Sequence, residues 1–176
     1  IDYVVIAPPL SITASGEHAG FPGTMSIGTE SLTTVIVELV RSCDWAMGVI
    51  LVHGHGGNLA AVQSATTLLH SDQRNVANWW PRVQGADAHA GHTETSLMLA
   101  IDPRLVRADK LNIGNVQPMS EVQHDLQTHG VKAVSENGIL GDARMATAEH
   151  GEQLLAMLTD DLRAFIHATC SQWNTA

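Results

Sequence analysis

Apolar positions along this 176-residue chain follow two alternating rhythms. Three continuous runs, "YVVIAP" (3–8), "MGVILV" (47–52) and "NVANWW" (75–80), have the profile of strands buried on both faces. Between and after them the spacing turns helical. In "TESLTTVIVELVRSCDWA", Leu32, Val35, Ile36, Leu39 and Val40 form one apolar stripe, with Thr29 as the expected N-cap. In "NLAAVQSATTLLHSD" the stripe is Leu59, Val62, Ala65, Thr66 and Leu69. "ADAHAGHTETSLMLAID" leads from loop into a third helix that Pro103 ends. "SEVQHDLQTHG" reads as a weaker helix closed by Gly130, "VKAVSENGILGD" as a short strand and turn, and "TAEHGEQLLAMLTDDLRAFIHATC" as a long amphipathic helix.

Strands alternating with helices predict an α/β fold, a three-layer α/β/α sandwich with a mostly parallel central sheet. With no repeat, low-complexity tract or linker, residues 1–176 read as a single domain. The chain opens at Ile1 inside the first apolar run, so the expectation is a domain lacking its first strand and loop.

Composition narrows the function more than the fold. A net charge of −9 and a pI near 5.4 argue against a nucleic-acid footprint or attraction to anionic lipid. No apolar run approaches a membrane span. Cys43 and Cys170 lie far apart in unrelated contexts and read as reduced thiols, so the expected compartment is the cytoplasm.

Three polar loops, "SGEHAGFPGT", "GHGGN" and "DAHAGHTE", each follow an expected strand at its C-terminal end, where open α/β sheets bind ligands. This layout points His18, His55, Asp87, His89, His92 and Glu94 to one rim. Glycines on both sides of His55 cost backbone entropy, so positive φ or a close backbone approach is expected there. A turn that happens to hold histidines, a phosphate cradle and a metal site compete. The cradle lacks a following Lys-Ser/Thr pair and the dinucleotide fingerprint. Ser15 and Ser96, as nucleophiles, lack a G-x-S-x-G elbow, and Cys43 sits at a helix end. Neutral imidazole with carboxylate suits Zn²⁺, Fe²⁺ or Mn²⁺. Glu94 reads either as a metal-site residue or as a helix-start residue, His53 as a hydrogen-bonded residue of the strand end, and His92 as a solvent-facing helix start.

Taken together, "SGEHAGFPGTMSIGTESL", "GHGGN" and "DAHAGHTETSLML" resemble the creatininase (creatinine amidohydrolase) family over nearly the whole chain. The resemblance implies an α/β/α metal-dependent hydrolase of amide or cyclic-amide bonds, commonly a hexamer. "GILGDARMATAEHGEQLL" and "TETSLMLAIDPRLVR" look most similar to the branch that removes a C-terminal dipeptide from the mycofactocin precursor peptide. Carried over by residue, His55 and Glu94 fall on metal positions, and His89 on the histidine that handles the substrate proton, with Asp87, two residues before it, as the second catalytic residue, expected to orient it. Ser15, Gly16, His18 and Asn58 fall on substrate-facing positions. The implied cofactor is a divalent metal, Zn or Fe or Mn, dinuclear in the full-length enzyme. Creatinine-specific members carry Tyr and Glu after the histidine; Gly56 and Gly57 stand here, which favours a larger substrate. The family's first loop supplies further metal ligands that this chain, beginning at Ile1, does not carry. Another amidohydrolase of the family, or a non-catalytic binding subunit, remains the alternative.

Overall fold

The computed structural model describes residues 4–174. They pack as two compact units. One comprises Ile1–Gly16, Gly23–Pro81 and Asp161–Ala176; the other comprises Glu17–Pro22 and Arg82–Asp160. No described helix is long and apolar enough to cross a membrane.

The first unit is built on a two-stranded parallel sheet. β1 (Val49–Val52) pairs with β2 (Val76–Trp79), Val49 opposite Val76 and Val52 opposite Trp79. The crossover between them is α2 (Leu59–Ser71), and α1 (Gly28–Arg41) packs against α2. Leu32, Ile36, Val37 and Val40 of α1 meet Ala61, Val62, Ala65 and Leu69 of α2 around Val76, with Val49 and Leu51 packed on the cluster. Both stripes are shifted slightly from those predicted. Val37 replaces the half-exposed Leu39, and Ala61 replaces the exposed Leu59. Thr29 lies inside α1; its start is served instead by Ser26, whose Oγ accepts the backbone N–H of Gly28 at 3.2 Å and of Ser15 at 2.9 Å.

The strand expected at 3–8 does not form in its described part. Val4, Val5 and Ile6 are 60, 70 and 91% exposed, and the sheet of the described residues holds β1 and β2 only. Residues before Val4 lie outside the description. An apolar run becomes a strand only when a neighbour takes up its backbone hydrogen bonds, and neither β1 nor β2 pairs with it.

The second unit contains α3 (His92–Ile101), α4 (Met119–His129), the single helical turn α5 (Val131–Val134) and the first half of α6 (Ala148–Trp173). α3 stops at Asp102, before Pro103, and α4 stops at Gly130 (φ +81°), as predicted. "VKAV" continues as a helical turn rather than a strand. The extended segment lies further on, where Leu140 bridges His89 and Asp142 bridges Ile113, both antiparallel. At the centre of this unit Ser96 is fully buried and accepts the Thr147 backbone N–H at 3.1 Å.

Candidate functional site

In the first unit, the loop after β1 extends the parallel ladder by one residue, His53 N–H donating to Trp79 C=O at 3.2 Å. The His53 ring lies tilted against Trp80, centroids 5.0 Å apart. Burial pushes its pKa below the usual histidine value, and its buried Nδ1 has no hydrogen-bond partner. The hydrogen-bonded role expected for this ring is therefore not made through Nδ1.

His55 is held in extended backbone (φ −110°, ψ 122°). Its Nε2 lies 2.9 Å from the Ala14 carbonyl oxygen and 3.2 Å from Ser15 Oγ. A carbonyl can only accept, so Nε2 carries the hydrogen in this arrangement and the ring lone pair is on Nδ1. Asn58 is buried (8% exposed), and its Oδ1 accepts the Ala14 backbone N–H at 3.3 Å. The two polar side chains of "GHGGN" thus grip both faces of one peptide unit pair. The glycines Gly54 and Gly56 are not explained as predicted. Neither has positive φ, and a Cβ would meet nothing closer than 3.6 Å at Gly54 and nothing at all at Gly56. What they provide is open space beside His55.

In the second unit a row of acids and imidazoles forms. Glu17 Oε1 lies 3.7 Å from His18 Nε2; the His18 and His89 rings are 4.7 Å apart; and His89 Nδ1 lies 3.5 Å from Glu94 Oε2. The main chain at His89 is fixed from both sides, donating to Leu140 C=O at 3.2 Å and accepting Leu140 N–H at 2.8 Å. Glu94, in the first turn of α3, also accepts the Ala90 backbone N–H through Oε2. Its carboxylate therefore serves the helix start and faces His89 at once.

Asp87 is engaged elsewhere. Its carboxylate accepts the backbone N–H of Thr93 at 3.0 Å and that of His92, two of the donors an α-helix leaves unsatisfied at its start. Two glycines make room for it. A Cβ at Gly91 would lie 1.7 Å from Asp87 Oδ2, and one at Gly141 (φ +152°) 2.4 Å from the same atom. The carboxylate that faces the His89 ring is Glu94, not the Asp87 expected to orient it, because Asp87 is taken up by the backbone N–H groups at the start of α3. His92 is half-buried rather than solvent-facing, its ring 5.0 Å from His150. The structure thus groups His18, His89 and Glu94, sets Asp87 under the start of α3, and groups Ser15, His55 and Asn58 around Ala14. Glu17, the outer acid of the row, is one of the three carboxylates, with Asp87 and Glu94, that the loop order puts within reach of the rim's histidines.

The family model Creatininase (creatinine amidohydrolase) matches residues 1–166. A mycofactocin precursor peptide peptidase of Mycolicibacterium smegmatis is 49% identical over 158 residues, covering 89% of this chain and 64% of that protein. The same-named protein of Mycobacterium ulcerans is 45% identical over 89% of this chain and 63% of its own length. The chain therefore spans a little under two thirds of these curated relatives. A creatinine amidohydrolase of Pseudomonas putida is 27% identical over 81% of the chain and 64% of that protein. Among solved structures, a mutant creatininase of the Zn–Zn type superposes with a TM-score of 0.68 at 24% identity, over 84% of this chain and 67% of that one. A Bacteroides fragilis structure gives 0.73 at 19% identity, over 93% and 71%. At these identities the superpositions speak for the α/β fold. The family match over residues 1–166 shows that the chain belongs to the creatininase family.

Proposed function

We propose that the chain is the greater part of a divalent-metal-dependent amide-bond hydrolase that removes a C-terminal dipeptide from the mycofactocin precursor peptide. The observation that carries this is the His89 ring, its main chain clamped by Leu140 and its Nδ1 facing the Glu94 carboxylate. The identity to relatives named mycofactocin precursor peptide peptidase supports that substrate.

The residues fit a metal by their chemistry. His55 in the first unit, and Glu17, His18 and (by family resemblance) Glu94 in the second, are imidazole and carboxylate donors of the kind that bind Zn²⁺, Fe²⁺ or Mn²⁺. A bound ion would supply Lewis acidity to the scissile carbonyl. The chain's own residues do the rest. Glu94 faces the His89 ring and orients it, and His89 hands a proton to the leaving nitrogen. Asp87 holds the start of α3, and so the position of Glu94, rather than touching substrate. Ser15 and Gly16 border the substrate, His18 faces His89, and Asn58 acts by fixing Ala14. Cytoplasmic location and a homo-oligomer, a hexamer in the family pattern, belong to the same reading.

Creatinine is the second reading, favoured by the relation to the Pseudomonas putida enzyme and opposed by Gly56 and Gly57. Offering the metal-loaded full-length protein the precursor peptide, creatinine and a formamide substrate in parallel separates them. Release of the C-terminal dipeptide alone is expected. Turnover of creatinine with the peptide left intact would reverse the order.

A further inference from the structure

Beside the His89 row, within the second unit, lies a cleft of about 410 Å³, within the size range of small-ligand sites. Ala90 and Glu94 form part of its wall, so the cleft opens against the residues that face His89. Much of the remaining wall is apolar: Met98, Val106, Leu111 and Ile139. Two cations, Arg107 and Lys110, complete it.

Cations are scarce in this chain, which has 9 Lys and Arg against 18 acids, so two in one apolar cleft call for a reason. Local ion pairing does not provide one. Nearby Arg104 is fully engaged by Asp102, Nε and Nη2 each 2.8 Å from its carboxylate. Arg107 has no ion pair among the described residues, and Lys110 makes only a loose, exposed contact of 3.8 Å with Asp109. Arg107 caps the start of the turn Ala108–Lys110 and Lys110 ends it, and Lys110 N–H donates to the Arg107 carbonyl at 2.9 Å, tying one to the other.

We infer that this cleft binds the free C-terminal carboxylate of the peptide, with Arg107 and Lys110 as its partners and the apolar wall taking the terminal side chains. The inference rests on the peptidase reading above and adds the residues that select a chain end. An anion cannot settle against Glu94, so it must go to the cations. The wall between is too apolar to suit a small, densely charged phosphate compound. A charge-assisted hydrogen bond to a guanidinium contributes enough to change affinity about tenfold or more.

The test uses the full-length metal-loaded protein and two synthetic peptides of the precursor's C-terminal sequence, one ending in a carboxylate and one in an amide. The wild type should favour the acid by about tenfold or more in kcat/KM, through KM. The double variant R107M/K110M, checked for an unchanged melting curve, should lose that ratio, and Arg107→Lys should keep part of it. Equal use of acid and amide by the wild type, or an unchanged ratio in the double variant, overturns the inference. If the wild type cleaves neither peptide, the peptidase reading has failed, and calorimetric titration of the same two peptides still reads the cleft. Tighter binding of the acid, lost in the double variant, supports it. Equal affinities, or inorganic phosphate binding more tightly than the acid peptide, overturn it.

Discussion

His55 holds Ala14 by its main-chain carbonyl, Nε2 to oxygen 2.9 Å, while Asn58 holds the Ala14 N–H from the other end of the same loop. The polar residues of "GHGGN" are thus spent first on fixing the backbone that leads, through Ser15 and Gly16, into the Glu17–His18 pair. Replacing Asn58 by Leu should leave the buried Ala14 N–H unsatisfied and cost about 1–3 kcal/mol. The expected readout is a lower urea midpoint with an unchanged slope, and Asn58→Asp, which keeps the acceptor, should lose less. A midpoint equal to wild type in Asn58→Leu would show that this bond does not matter.

Asp87 and Gly91 should behave as a coupled pair. Gly91→Ala drives a methyl into the Asp87 carboxylate and should cost about 1–3 kcal/mol, as overpacking does. Asp87→Ala removes the acceptor for His92 and Thr93 and should cost about 0.5–2 kcal/mol, in the range of lost N-caps. In the double variant the methyl has room, so the cost should fall short of the sum by about 1 kcal/mol. Strict additivity in denaturant unfolding would contradict the geometry.

Burial lowers the pKa of His53, so the folded state resists protonation that the unfolded chain accepts near 6.5. Its contribution to stability is complete above that value and is lost as pH falls from 6.5 toward the folded pKa. His53→Phe should flatten this step and, because Nδ1 has no partner, should not destabilise the protein at pH 8. NMR titration of the His53 ring to a midpoint at or above 6.5 would contradict it. A separate, lower step belongs to Asp142, held at about 2 by hydrogen bonds from the Arg144 side chain and backbone, and should appear as pH falls below 3.8.

His89→Ala should lower kcat by about 10²–10⁴, the usual contribution of a general acid, with little change in melting temperature because the ring is partly exposed. Glu94→Gln keeps an acceptor for the Ala90 N–H but removes the charge beside His89. It should therefore melt near wild type while kcat falls, since His89 loses the carboxylate that faces it. A wild-type kcat in Glu94→Gln would remove Glu94 from proton transfer.

Much of this molecule could be read from its sequence. α1, α2, α3, α4 and α6 appear where the apolar spacing and the stops at Pro103 and Gly130 put them, because a stripe at helical period must face a core whatever the rest does. The run at 3–8 misled for the opposite reason: its apolarity says nothing about a partner, and Ile6 lies exposed. "VKAV" misled because a four-residue run with two β-branched valines fits a strand as well as a turn of helix. At the site, motif order located the right loops. Which acid faces which ring stayed hidden, since Asp87 and Glu94 lie two and five residues from His89 and only the course of the chain over Gly91 and Gly141 decides between them.

The most direct test follows the precursor peptide by mass spectrometry with the full-length protein, first stripped by chelator and then reloaded with Zn²⁺, Fe²⁺ or Mn²⁺, in wild-type and His55→Ala forms. The account predicts an intact peptide after stripping and loss of the C-terminal dipeptide once one of these ions is restored. It also predicts that His55→Ala loses bound metal and cleavage together. Dipeptide release by the stripped protein, or full metal content and cleavage in His55→Ala, would contradict it.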